Sequence, residues 1–209
     1  MTRVEVRGVT VALGGTNVLD RVDLTAPSGS ITGVTGPSGS GKTTLLRVMA
    51  GLQIPATGAV TYDGEASAPK GSIALLAQHP RLVCNPYWTL RRIIAEPLAV
   101  LGRQADAHEY VGRVGLEPAL LERYPGQVSD GQLQRACLGR VLAQRARIVL
   151  CDEPTAMLDP IATSSVLTML GEIADAGATV VVVSHDPGVI EALARDTCAL
   201  HRRYLVDKR

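Results

Sequence analysis

Gly36-Pro37-Ser38-Gly39-Ser40-Gly41-Lys42-Thr43 sets glycines, hydroxyls and one lysine at the spacing G-x-x-x-x-G-K-[ST]. Small residues let backbone N–H groups approach phosphate oxygens that a Cβ would hold off. A helix opening at the end of the loop would add the partial positive charge of its N-terminus. Lys42 is expected to reach the β- and γ-phosphates of a nucleotide, and Thr43 to place its hydroxyl on Mg2+.

Further residues suit the same chemistry. Ile148-Val-Leu-Cys-Asp-Glu153 is an apolar run ending in two carboxylates. Mg2+ takes oxygen ligands and keeps several waters, so Asp152 at a strand end fits it. Glu153 beside it is placed to orient or deprotonate an attacking water. His185 follows the run Val180-Val-Val-Val-Ser184 and offers a neutral imidazole near the γ-phosphate. Gln78 follows the run Ile73–Ala77, and its uncharged amide can ligate Mg2+ or water at small desolvation cost. In Val128-Ser-Asp-Gly-Gln-Leu-Gln-Arg135, Ser129 is a good N-cap for the helix that Leu133, Ala136, Cys137 and Val141 continue. That helix start offers the Ser129 hydroxyl and the Gly131 N–H to an anion.

These groups need a frame that gathers strand ends. Short strands are expected at 4–6, 9–13, 22–26, 31–35, 59–62 and 73–77, with Asp63-Gly64 as a turn. From Pro86 to Arg145 the pattern turns helical, with Leu90, Ile93, Ile94, Leu98 and Leu101 in helical register and a kink expected at Pro97. Strand and helix then alternate: Ile148–Cys151, a helix opened by Asp159-Pro160 and closed by Gly177, Thr179–Ser184, and a helix from Pro187. The expected fold is α/β: a P-loop core with a mostly parallel sheet, an N-terminal antiparallel β subdomain, and a helical lobe at about 86–145. In such a sheet the ligand edge lies at the strands' C-terminal ends, which gathers Gly36, Gln78, Asp152 and His185.

With 209 residues the chain is long enough for one well-buried domain, expected to span 1–209. Its net charge of +1 gives no general nucleic-acid surface, so no nucleic-acid partner is expected. Aromatic residues make up 3% and Phe is absent, so the core must come from Val, Leu, Ile and Ala. Cys84, Cys137, Cys151 and Cys198 lack the close spacing of a zinc site or a disulfide framework, and Cys151 in its apolar run reads as a buried thiol. Reduced thiols fit a cytosolic protein. The N-terminus shows no signal segment, and no apolar run approaches the roughly 18 residues of a membrane span.

The order of these motifs resembles the ATP-binding subunit of ABC transporters over nearly the whole chain. Gly36–Thr44 resembles the Walker A loop, Gln78 the Q-loop glutamine, and Ser129-Asp-Gly-Gln132 the signature sequence. Asp152 and Glu153 are similar to the Walker B aspartate and catalytic glutamate, Met157-Leu-Asp159 to the D-loop, and His185 to the switch histidine. The resemblance implies ATP and Mg2+ as ligands, hydrolysis of ATP, and a head-to-tail pair of ATPase domains, identical or different. In such a pair Ser129, Gly131 and Gln132 of one domain close the other's loop. It also implies permease subunits contacted near Gln78–Trp88 and a place at the cytoplasmic face of the membrane. Asn85-Pro86, Ile94-Ala-Glu-Pro-Leu98 and Arg123-Tyr-Pro125 resemble the peptide and nickel importer branch. That likeness implies uptake of a peptide or metal chelate, with an extracytoplasmic solute-binding protein. Tyr87 and Trp88 would be either permease anchors or part of the lobe's own core. A soluble ATPase half of the same superfamily and a partly degenerate subunit of a heterodimeric pair are the alternatives.

The chain departs from the family in four places. Asp130 stands where glycine is usual. A carboxylate aimed at phosphate would be repelled by about 4 kcal/mol at ~4 Å and an effective dielectric of ~20, so its side chain is expected to turn away. Leu13 stands near the usual adenine-stacking aromatic, and no aromatic precedes Tyr62; the missing stack costs about 0.5–1.5 kcal/mol. Arg202-Arg203 replaces a glycine-containing turn. The sequence ends at Arg209, short of the extension common in that branch, so no regulatory or solute-sensing domain is assigned.

Overall fold

A computed structural model describes residues 2–104, 106–194, 196–201 and 204–207. The Arg202-Arg203 turn lies outside the described residues. The first elements are β1 (Val4–Leu13), β2 (Thr16–Ala26), β3 (Ser30–Thr35), α1 (Lys42–Met49), β4 (Thr57–Tyr62) and β5 (Ile73–Leu76). A helical stretch follows: α2 (Pro80–Val83), α3 (Leu90–Val100), α4 (His108–Val111), 3-10 turns at Pro118–Glu122 and Pro125–Gln127, and α5 (Asp130–Gln144). The chain then runs through β6 (Ile148–Asp152), α6 (Pro160–Asp175), β7 (Thr179–Ser184), α7 (Pro187–Leu193), β8 (Asp196–His201) and β9 (Tyr204–Asp207).

Two sheets form. The strands β2-β1-β4 make an antiparallel sheet of three. The order β5-β6-β7-β3-β8-β9 makes a sheet of six, parallel except for the final pair. The expected strands at 4–6 and 9–13 are one strand, β1, whose register shifts between Val6 and Val9. The expected strand at 22–26 is the end of the longer β2, whose first half, Thr16–Arg21, has only Val18 and Leu19 as adjacent apolar residues and so no alternating pattern. The helical region is broken more often than its periodicity implies. Helix α3 continues through Pro97, whereas Tyr110 and Val111 sit in a single turn, α4.

The central strands are buried on both faces, which is why they read as continuous apolar runs. Alternate residues serve two cores. Val149, Cys151, Val180 and Val182 face the core shared with α3, α5 and α6. Ile148, Leu150, Val181, Val183 and Val34 face the core shared with α1 and the antiparallel sheet. The helical lobe thus packs on one face of the sheet, and the phosphate-loop helix packs on the other.

Helix α7 lies so close to β3 that only glycine fits at position 33. A Cβ there would stand 2.3 Å from Ile190 Cγ2 and 2.9 Å from Ala194 Cβ. Gly33→Ala is therefore expected to cost roughly 1–3 kcal/mol, lowering the melting temperature by about 2–4 °C for each kcal/mol. An unchanged thermal midpoint would mean that α7 does not pack on this strand.

Candidate functional site

Strand register sets the site. Thr35 pairs with Ser184 and Asp152 with Val183, so the loops after β3, β6 and β7 leave one edge side by side. Leu76 pairs with Cys151, which brings the residues after β5 to the same edge. An open cleft of about 470 Å3 results. Ser38, Gly39, Gly41, Lys42, Thr43, Thr44, Gln78, Asp152, Glu153, His185 and Val18 line it. The loop, Gln78, both carboxylates and the histidine thus converge, as expected from their positions at strand ends.

The loop geometry suits phosphate. Gly41, at the N-cap of α1, has φ +103, and a Cβ there would stand 2.9 Å from both the Val18 carbonyl oxygen and Leu19 Cδ2. A Cβ on Gly36 would come within 2.5 Å of the Leu200 carbonyl oxygen. Lys42 is buried, and its Nζ donates to the carbonyl oxygens of Gly36 at 2.7 Å and Pro37 at 3.1 Å. These two bonds use two of the ammonium's three donors and curl the loop around it. Ser40 Oγ is buried without a hydrogen-bond partner among the described residues, a polar atom inside the loop that a bound anion would engage.

The Thr43 hydroxyl donates to Asp152 Oδ2 at 2.7 Å, so the two groups expected to share a divalent cation already touch. Burial pushes the Asp152 carboxyl above its ordinary range. The Thr43 hydrogen bond and Lys42 pull it back, and the neighbouring Glu153 charge pushes it up. Two adjacent buried carboxylates favour added positive charge. Hydroxyl, carboxylate and the Gln78 amide form the all-oxygen donor set that Mg2+ prefers, so the residues fit the ion.

Glu153 is buried and held in the left-handed region at φ +49, a strained conformation of the kind found at working sites. Its Oε2 accepts from the Ser184 hydroxyl at 3.0 Å. Its Oε1 accepts from the His185 backbone N–H and from His185 Nδ1, both at 2.8 Å. Donation from Nδ1 leaves Nε2 of the largely exposed imidazole facing outward as an acceptor in the neutral ring. Ser184 closes the apolar run and opens the Ser184–Asp186 stretch that carries the family resemblance, but its bond to Glu153 is seen only in the fold. Val18 joined the cleft only through the β1–β2 hairpin, and Leu13, nearly half exposed, is absent from its lining.

The helix α5 begins as its sequence implies. Ser129 Oγ accepts from the Gln132 N–H at 3.2 Å, and Gln132 Oε1 accepts from the Ser129 N–H at 2.9 Å, a reciprocal capping box. The Ser129 hydroxyl keeps its own hydrogen to donate. Ser129, Gly131 and Gln132 line a second cleft of about 480 Å3 together with Met157, Leu158 and Asp159. Asp159 caps α6 by accepting from the Ala162 N–H at 2.9 Å, and its carboxyl is held below its ordinary range by that bond first. Arg135 of α5 reaches Asp159 at 3.4 Å and the Gly115 carbonyl at 2.7 Å. The two clefts share no lining residue.

Asp130 turns from the second cleft and pairs with Arg81. The two adjacent aromatics separate: Tyr87 is 86% exposed, whereas Trp88 packs on the lobe core with the Arg92 guanidinium 4.1 Å from its ring centre. Cys84 and Cys137 bring their Sγ atoms to 3.4 Å, a contact that their distant positions in the chain did not announce. Burial pushes the Cys151 thiol up to about 12, as befits an inert core residue.

A family model described as ABC transporter matches residues 19–156. The methionine import ATP-binding protein MetN of Bradyrhizobium diazoefficiens is 36% identical over 208 residues, covering 92% of this chain and 59% of that protein. The glutamine transport ATP-binding protein GlnQ of Escherichia coli is 34% identical over 203 residues, covering 91% of this chain and 84% of that protein. The chain spans less than two thirds of the length of the methionine-import relatives it matches. Among solved structures, a dimeric ATP-binding cassette in a post-hydrolysis state bound to ADP and Pi superposes with a TM-score of 0.88 at 26% identity, covering 99% of this chain and 98% of that one.

Proposed function

The chain belongs to the ABC transporter family, and on that premise we propose that it is an ATP-hydrolysing subunit that drives solute import through separate membrane subunits. Gly36–Thr44 would hold the triphosphate, with Lys42 against the β- and γ-phosphates. Thr43, Asp152 and Gln78 would hold Mg2+, which when bound neutralises charge building on the phosphate oxygens. Glu153 is placed to take a proton from the attacking water, and its three hydrogen bonds to Ser184 and His185 aim it. The largely exposed His185 ring, held by its Nδ1 on Glu153, would present Nε2 to the γ-phosphate region.

The observation that carries this reading is the separation of the two clefts. The helix start at Ser129, Gly131 and Gln132 lines a cleft that shares no residue with the one lined by the chain's own loop. A second ATPase chain, identical or different, placed head-to-tail would supply what each loop lacks. The dimeric state of the solved ADP- and Pi-bound cassette supports that arrangement. The exposed Leu82, Val83 and Tyr87 lie just past Gln78 and suit a membrane-subunit contact, whereas Trp88 is committed to the lobe. The protein would then sit peripherally at the cytoplasmic face, with an extracytoplasmic solute-binding protein in the same system. The narrower reading, import of a peptide, nickel or a metal chelate, rests on the Asn85-Pro86, Ile94–Leu98 and Arg123–Pro125 likeness. The relatives, named for methionine and glutamine, favour small-solute import without singling out that branch.

The test is the complex purified with the membrane protein it is made with. Two ATPase chains per complex are expected, with turnover lost when the chains are separated by dilution. Full turnover by a solitary chain would overturn the reading.

A further inference from the structure

Arg81 lies in α2, three residues past Gln78, and its guanidinium spreads over three acceptors. Nε donates to the Asp130 carboxylate, Nη1 to the Pro125 carbonyl at 2.7 Å, and Nη2 to the Val128 carbonyl at 2.8 Å. The two carbonyls belong to the chain that leads into α5. Asp130 is the first residue of that helix, between Ser129 and Gly131. Both neighbours line the second cleft, and Asp130 does not.

The arrangement answers an electrostatic problem. A carboxylate at the start of a helix is favoured by the helix dipole, yet here it neighbours the groups that would receive a nucleotide's phosphate. Left to rotate freely, it would repel that phosphate. Arg81 both draws the carboxylate aside and offsets its charge, and its fixed planar fork suits the two further carbonyls. Gly131 lies close to the loop after β6 at the same point: a Cβ on it would stand 3.0 Å from the Met157 carbonyl oxygen.

We propose that Arg81 is a positioning residue that turns the Asp130 carboxylate away from the phosphate-receiving end of α5, so that Ser129 and Gly131 can close over a nucleotide held by a second chain. The inference rests on the two-chain reading above.

The experiment is steady-state ATP hydrolysis by the purified complex, with KM and kcat measured separately. Arg81→Ala raises KM for ATP by about tenfold, since the freed carboxylate is partly solvent-screened. The rise shrinks as salt goes from ~0.05 M to ~0.5 M. Arg81→Gln, which loses the charge but keeps a polar side chain on the same stem, gives a KM rise of the same order in a folded protein. Adding Asp130→Asn to Arg81→Ala returns KM to near that of the Asp130→Asn single variant. An unchanged KM in Arg81→Gln overturns the inference. So does a double variant as impaired as Arg81→Ala, because the arginine would then serve only the two carbonyls. Either result leaves the two-chain reading standing, whereas full turnover by a solitary wild-type chain removes both.

Discussion

Replacing Glu153 with Gln is expected to cut ATP turnover by about a hundredfold to ten-thousandfold, the usual span for losing a general base, while ATP still binds. The substitution keeps the shape of the site. A glutamine Oε1 can still accept from the His185 N–H and Nδ1, and its amide can donate to Ser184 Oγ where Oε2 now accepts. It also removes one of two adjacent buried negative charges, so the fold should not suffer. What disappears is the proton acceptor. Phosphate release and equilibrium binding of labelled ATP, measured on the same preparation, separate the two effects. Turnover within tenfold of wild type would strip Glu153 of its role. Loss of binding alone would move that role to holding the nucleotide.

Lys42→Ala is expected to weaken ATP binding by at least about a hundredfold. A charge-assisted hydrogen bond is worth about 1.5–3 kcal/mol, and a buried ammonium within this loop would make more than one to phosphate oxygens. The substitution also frees the Gly36 and Pro37 carbonyls that Nζ now gathers, so the loop loses part of its curl before any ligand arrives. Titration with a fluorescent ATP analogue reads the effect. Affinity within about threefold of wild type would mean that the nucleotide does not use Gly36–Thr43. The two substitutions are expected to differ in kind, the lysine in binding and the glutamate in the chemical step.

Much of the site is legible in the sequence because its parts obey local rules. The glycine spacing of 36–41 follows from backbone approach to phosphate, and the Gly41 and Gly36 contacts reflect that constraint. Asp152, His185 and Gln78 each follow an apolar run, and in a parallel sheet such runs end on one edge. The Ser129–Gln132 capping box is likewise a matter of residues three apart. The first half of β2 is hard to read in the sequence because only Val18 and the buried Leu19 are apolar among Thr16–Arg21, so pairing with β1 defines the strand there. The helical lobe follows the helical spacing of its apolar residues, but that spacing does not mark where the chain between α3 and α5 breaks into turns such as Pro118–Glu122 and Pro125–Gln127.

By itself, the order of residues determined which groups the proposed triphosphate site draws on, because loop, cap and strand-end chemistry are written in spacings of a few residues. Only the tertiary structure decided how those groups are aimed. It tied Glu153 to Ser184 and His185, set Thr43 on Asp152, parted Tyr87 from Trp88 and gave Asp130 to Arg81. Each of these contacts joins separate elements or side chains whose direction depends on packing, so it follows from how strands register and helices pack rather than from local pattern. For the same reason the two clefts stand apart: the sheet edge fixes one, and the lobe together with Met157–Asp159 forms the other.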